Sequence, residues 1–291
     1  MQIMGIVNVT PDSFSDGGLW ATPESAVRHA RELINEGAQI LDIGGESTRP
    51  GATLLSSDEE WQRIEAVIAQ LLSEKAMPAE VGRAQAGPYQ SDSRVLISVD
   101  TYHARTAQRA ASIGATIIND VTGGQGDPDM FATVAELNID YVLQHGRGNG
   151  QTMNSLAHYE HFVAVDVRDE LLRARDQAVQ AGIDPERIIL DPGLGFAKLG
   201  TQDWDLLAGL DLITAEGHRV LVGASRKRFI TGVSQPIGEK PEDRDLATAV
   251  ISGLLAEANV WAVRVHNVAA SAVAVRVHGE LARARARYAS A

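Results

Sequence analysis

The 291-residue chain contains no cysteine. That excludes a disulfide framework, a thiol nucleophile and any cysteine-held metal. Basic residues are also in short supply: Lys plus Arg total 26 against 38 for Asp plus Glu, a net charge of −12. A charge of that sign argues against broad nucleic-acid binding, although a small basic pocket is compatible with it. No apolar run is long enough for a bilayer. The first residues lack the basic, apolar and cleavage regions of a secretory signal. The expectation is a soluble cytoplasmic protein with no membrane or nucleic-acid partner. Its 44% of hydrophobic residues can fill a sizeable core.

What is present is a rhythm. An apolar run, Ile3–Val7, ends at Asn8, where a polar glycine-rich loop begins. Seven more runs follow: "AQILDIGG", "RVLISVDT", "ATIINDVTGG", "IDYVLQHG", "RIILDPGLG", "RVLVGASRK" and "VWAVRVHN". Most are continuous in Val, Ile and Leu, as parallel strands buried on both faces require. Helical patterns lie between them. Thr22-Pro23 reads as a cap and first turn, and Gly37 as a stop. Ser57 to Glu60 reads as a capping box ahead of an apolar stripe, Trp61, Ile64, Ile68 and Leu71. Asp127-Pro128 repeats the cap signal. Tyr159 to Ala181 reads as a helix closed by Gly182, and Asp243–Glu257 and Val268–Tyr288 supply two more. Eight strand–helix units in this length predict an α/β fold, a TIM (β/α)8 barrel, as one domain over 1–291. An open doubly wound sheet is the alternative. Residues 73–94, poor in apolar side chains, read as a mobile surface insertion.

In a barrel the active site lies at the C-terminal ends of the strands. Those ends read Asn8, Asp42, Asp100, Asn119, His145, Asp191, Ser225 and His266. Each alone could simply begin a loop, and His145 could be a packing residue. The full set, mostly Asp, Asn and His, points to a site. Ser225, Arg226 and Lys227 follow strand seven, while Arg264 and His266 sit on one side of strand eight. Thr48 and Arg49 lie on the loop after strand two. Such a cluster suits an anionic, phosphate-like group, unless Arg226 and Arg228 are only solvated surface charges. Asp100, Asn119 and Asp191 need donors if buried. A flat heterocycle with adjacent N–H groups would supply them.

The stretches "NVTPDSFSDGG", "DIGGESTRPGA", "SVDT", "INDVTGG", "LDPGLGF", "GASRK" and "RVH", in this order along the chain, resemble dihydropteroate synthase, with wording most like its actinobacterial members. The resemblance implies condensation of (7,8-dihydropterin-6-yl)methyl diphosphate with 4-aminobenzoate, a Mg2+ cofactor and a homodimer. It implies that Asp191 holds the pterin amino and ring N–H edge and that Asn119 bonds another part of the ring. Asp100 would lie against the ring and stabilise positive charge, and Lys227 would donate to the pterin carbonyl. Arg264 and His266 would clamp the diphosphate, with Asn8 close to it and to the metal. Thr48 and Arg49 would belong to a closing loop. Phe14, Phe196 and Ser225 would line the aminobenzoate pocket, with the Lys227 stem as a wall. Asp100, Lys227, Arg264 and His266 are thus the expected catalytic residues.

Two departures from the family's wording stand out: "QHGRG" after strand five in place of a methionine-rich stretch, and Asn267 where an Asp is usual. Rival readings are a pterin-binding methyltetrahydrofolate methyltransferase and a non-catalytic regulatory paralogue. A Schiff-base aldolase is disfavoured because strand six ends in Asp191 rather than Lys.

Overall fold

The computed structural model describes residues 1–10, 22–46, 54–74, 95–234 and 240–290. In chain order these form β1 (Gln2–Asn8), α1 (Pro23–Glu36), β2 (Ile40–Gly44), α2 (Ser57–Ser73), β3 (Leu96–Asp100), α3 (Ala104–Ile113), β4 (Ile117–Asp120), α4 (Met130–Leu137) and β5 (Asp140–Gln144). They continue with α5 (Val163–Gln180), β6 (Ile188–Asp191), α6 (Gln202–Ala208), α7 (Asp211–Thr214), β7 (Arg219–Val222), α8 (Thr231–Ser234), α9 (Asp245–Leu255), β8 (Ala262–Val265) and α10 (Val268–Ala289). The strands pair in parallel and in sequence order, and β8 returns to β1. Closure excludes the open doubly wound sheet.

Alternation along each strand sorts its side chains. Met4, Ile40, Ile117, Val142, Ile189, Leu221 and Ala262 face inward and pack into an apolar plug of their own. Their neighbours Leu41, Ile118, Tyr141, Leu190, Val220 and Val263 face outward into the core shared with the helices. Burial on both faces explains the continuous apolar runs, at roughly 1.5–3 kcal/mol per aliphatic side chain. Two residues beyond the plug, five of the seven inward positions turn polar, as Asp42, Asn119, Gln144, Asp191 and Arg264, while β1 and β7 carry Ile6 and Gly223 there. The barrel is therefore sealed at one end and polar at the other.

Local signals place most helices. Thr22 Oγ1 accepts from the Ser25 amide at 3.3 Å, and Pro23 opens α1. Gly37, at φ 112°, ends it. The α2 stripe Trp61, Ile64, Ile68 and Leu71 is buried as expected. The capping box of α2 is one residue earlier than the sequence suggests: Ser56 pairs with Glu59. Glu60 instead turns inward to accept from Thr101 Oγ1 at 2.7 Å. Asp127 does not cap α4. Its carboxylate accepts from the Ala104 amide at the start of α3 and from Asp129. Residues Tyr159–Phe162 precede α5 rather than belonging to it, because Asp166 holds the Glu160 and His161 amides and the helix begins at Val163. The stretch from Asp243 opens as a 3-10 turn, and α9 proper begins at Asp245. Of the expected insertion, Ser73 and Glu74 close α2; 75–94 lie outside the described residues.

Candidate active site

The polar end of the barrel is organised by Asp42, which is fully buried. Its Oδ1 accepts from Ser98 Oγ at 2.6 Å. Its Oδ2 accepts from Asn119 Nδ2 at 2.9 Å and from Arg264 Nε at 2.6 Å. Arg264 Nη2 continues to Asp100 Oδ2 at 2.6 Å. One guanidinium on β8 thus joins β2 to β3. Burial opposes its charge, but Asp42 and Asp100 outweigh that and hold it above the ordinary arginine value. Burial pushes the Asp100 carboxyl up to about 7, with Arg264 opposing. A guanidinium carries five N–H donors. Two are committed here, leaving the rest of the fork for an anion at the rim.

The same network orients Asn119. A carboxylate only accepts, so the Asn119 amide must present its NH2 to Asp42. Its Oδ1 is buried and has no hydrogen-bond partner among the described residues. A buried acceptor left open is costly unless a ligand satisfies it. Asp191, at the end of β6, is the second acceptor. Its Oδ1 takes the Gly193 amide at 2.7 Å. Burial raises its pKa, and Lys227 pulls the other way. The floor therefore offers acceptors where a ring rich in N–H groups would fit.

Lys227 reaches over this floor. Its Nζ donates to the Leu194 carbonyl and lies 4.7 Å from the centre of the Phe196 ring. Burial lowers it to about 8, with Asp191 opposing. At the rim, the His266 amide donates to Ser225 Oγ at 3.1 Å, and Ser225 Oγ is 2.9 Å from His266 Nδ1. The Ser225 hydroxyl thus ties the His266 backbone and ring together at the mouth of the barrel.

The structure brings Asp100, Asn119, Asp191, Lys227, Phe196, Arg264 and the Ser225–His266 pair to one end of the barrel, with Asn8 at the end of β1 on the inward register. Phe14, Thr48 and Arg49 lie outside the described residues. Arg226 leaves the expected basic cluster. Held at φ 59°, it grips Asp245 on α9 with Nε at 2.7 Å and Nη2 at 2.9 Å. It is neither a solvated charge nor an open anion site; Arg228 is exposed. His145 is buried with both ring nitrogens in polar contacts, Nε2 facing Glu170 on α5 and Nδ1 facing Lys198. Asn267 caps α10, accepting from the Ala270 amide at 3.0 Å, while its Nδ2 donates to Asp245 at 3.3 Å. At Gly146, a side chain would meet only the Val121 carbonyl, at 3.6 Å, and a cavity of about 260 Å3 opens beside it against α5.

Residues 4–81 and 87–266 match the pterin binding enzyme family. The dihydropteroate synthase of Mycobacterium leprae (strain TN) is 42% identical over 287 residues, spanning 96% of this chain and 93% of its own. The chain belongs to the dihydropteroate synthases. Solved dihydropteroate synthases agree in fold. That of Xanthomonas albilineans with 4-aminobenzoic acid superposes with a TM-score of 0.82 at 38% identity, over 96% of this chain and 92% of that one. The Yersinia pestis dihydropteroate synthase, in a sulfonamide drug complex, gives 0.85 at 32%, over 97% and 94%.

Two buried residues at this end of the barrel were given no individual role from sequence. Asp42 is one of eight polar strand ends, and nothing local marks it as the hub. Lys198, buried beneath the β6 loop, carries a faint signal: a lone Lys at the end of the apolar, glycine-rich "LDPGLGFAK".

Proposed function

We propose that this chain joins (7,8-dihydropterin-6-yl)methyl diphosphate to 4-aminobenzoate, giving 7,8-dihydropteroate and diphosphate. Besides its kinship with the dihydropteroate synthases, the observation that carries the reading is the open, buried Asn119 Oδ1 together with the buried Asp191 carboxylate at the same end of the barrel. That pair suits a pterin edge. Asp191 takes the amino and ring N–H donors, Asn119 another ring donor, and Lys227 donates a hydrogen bond to the carbonyl side. Arg264 and His266 hold the diphosphate. The methylene C–O bond breaks with its electron pair leaving on diphosphate. Asp100, against the ring, offsets the positive charge that develops on the pterin. The aromatic amine then forms the C–N bond and loses a proton. No activated Ser or Cys is required, because the amine is already nucleophilic. The acceleration comes from positioning and from charge stabilisation of the leaving group.

Phe14, Phe196 and Ser225 are assigned to the aminobenzoate side, and Thr48 and Arg49 to closure over the diphosphate. Among the described residues, no three His, Asp or Glu side chains are grouped to hold a metal. The amide oxygen of Asn8 is a hard ligand, and it suits Mg2+ held mainly by substrate oxygens. Bound there, the ion would supply positive charge to the diphosphate. The reading also includes a cytoplasmic location and a catalytic unit spanning 1–291. A homodimer fits the two helices α9 and α10, whose outer faces carry exposed aliphatics at four-residue spacing.

The test is diphosphate release from the pterin substrate, with 4-aminobenzoate present or absent and with Mg2+ or chelator. Release that depends on Mg2+ and, with 4-aminobenzoate present, is matched by formation of 7,8-dihydropteroate supports the reading. A folded protein that binds pterin and releases no diphosphate would be a non-catalytic paralogue. A bare pterin lacking the tail should bind equally in chelator; if that binding collapses, the assignment of Asn8 is wrong.

A further inference from the structure

The loop from β6 to α6 carries Phe196 and the Leu194 carbonyl that Lys227 engages. Gly193, Gly195 and Ala197 in it all have positive φ, at 67°, 75° and 50°. Such a path persists only where its surroundings enforce it. Here side-chain donors do so. Lys198 Nζ donates to the Gly193 carbonyl at 2.8 Å and to the Phe196 carbonyl at 2.9 Å. Tyr159 donates to the Ala197 carbonyl at 2.9 Å. The third Lys198 donor meets His145 Nδ1 at 3.2 Å. His145 Nε2 is 3.0 Å from Glu170 Oε2, a carboxylate also gripped by Arg147.

We propose that Lys198 is a positioning residue for the condensation: its ammonium, oriented by the His145–Glu170–Arg147 chain behind it, sets the β6 loop so that Phe196 and Lys227 meet the two substrates. This deepens the synthase reading and rests on it.

Only an ammonium has three protons for three acceptors. All three acceptors are neutral, so no carboxylate in direct contact explains the buried charge as an ordinary ion pair. For Nδ1 to accept, His145 must be neutral with its proton on Nε2, where Glu170 accepts it. Burial, helped by the charge of Lys198, holds His145 down to about 4, so that state persists at neutral pH. Burial opposes ionisation of Glu170, but His145 and Arg147 hold it down to about 2. Burial also pulls Lys198 down to about 7, with Asp203 opposing. A neutral amine would have two protons for three acceptors and a lone pair facing that of Nδ1. On the other side of the same loop, a side chain at Gly195 would lie 2.9 Å from Lys227 Cδ. The segment is clasped between the two lysines, so a shift of one face moves the other.

The experiment is Lys198→Met, which keeps length and removes every donor. With circular dichroism and thermal melting confirming a folded chain, the expected result is a split. The kcat falls and the KM for 4-aminobenzoate rises, together lowering kcat/KM at least tenfold. Affinity for a bare pterin, held chiefly by Asp191 and Asn119 and only in part by Lys227, falls by clearly less than kcat/KM does. Nitrogen NMR should show His145 neutral and protonated on Nε2 in the unmodified chain, and titrating at higher pH in the variant. If the variant does not fold, Glu170→Gln should give the same split, weaker, with a changed His145 tautomer balance. A variant with kcat and KM within twofold of the unmodified chain overturns the proposal. So does pterin affinity falling in parallel with kcat/KM. Pterin binding and the NMR titration need no turnover. A chain that releases no diphosphate would therefore sink the synthase reading while the hold of Lys198 on the loop is still measured.

Discussion

At the scale of single residues, Asp42 governs more of the site than any group that would touch substrate. It accepts from three side chains on three other strands. Asp42→Ala would leave the Ser98 hydroxyl and the Asn119 amide without their acceptor and Arg264 with one carboxylate. Removing one partner of a buried charged network typically costs about 3–5 kcal/mol. Urea unfolding should register that loss; a change below 1 kcal/mol would mean that the barrel end repacks around the gap. Asp191 acts on binding instead. Its carboxyl is raised by burial in the free protein, whereas a pterin's donors need the carboxylate. Pterin affinity should therefore rise with pH as the free carboxyl loses its proton, and binding below that point should release protons to the buffer. Asp191→Asn should weaken pterin binding by about 2–5 kcal/mol and flatten this dependence. Calorimetry in buffers of different ionisation enthalpy checks both. The individual polar residues were legible in the sequence because each follows an apolar run. Their pairing was not: Asp42 and Arg264 are 222 positions apart, and only the stagger of the closed barrel decides which inward side chains meet.

At the scale of elements, glycine separates two kinds of loop position. Gly193 has φ 67°, and a side chain there would sit 1.9 Å from the His145 carbonyl. Neither backbone can yield, since the His145 amide donates to the Asp191 carbonyl at 2.8 Å. Gly200 has φ 60°, but a side chain would meet nothing within 4 Å. Gly200→Ala should thus cost only the left-handed penalty of roughly 1–2 kcal/mol and keep turnover. Gly193→Ala should abolish turnover and yield little folded protein. Comparable melting temperatures for the pair would refute the distinction. Elements with self-contained signals were readable: Thr22-Pro23 and Gly37 bound α1 as expected. Signals that depend on a distant partner misled. Asp127 looks like the cap of the helix after it, yet its carboxylate serves α3. Ser57 and Glu60 have capping-box spacing, but Thr101 draws Glu60 inward and Ser56 takes the cap.

At the scale of the molecule, barrel closure satisfies the strands and leaves α9 and α10 unevenly covered. The inner face of α9 is buried through Thr248, Ala249, Ile251, Ser252 and Leu255. Its outer face carries Leu246, Val250 and Leu254 at 68%, 55% and 65% exposure, one turn apart. On α10, Val273, Val277 and Leu281 repeat the pattern at 53%, 63% and 48%. The two helices pack on each other: a side chain at Gly253 would lie 3.4 Å from the Ala274 Cβ. Two neighbouring helices that both turn aliphatic rows outward are what a subunit interface presents, and isolated exposed aliphatics are not. A second copy is the occupant that the family reading implies, since like pairs commonly form twofold dimers. Leu254→Arg together with Val277→Arg would place two charges per subunit in such an interface, where an unpaired charge is strongly disfavoured. Sedimentation should show the unmodified chain at twice its 31.1 kDa mass and the double variant at that mass, with the melting curve still cooperative. A monomeric unmodified chain would remove the second copy as the partner of this face.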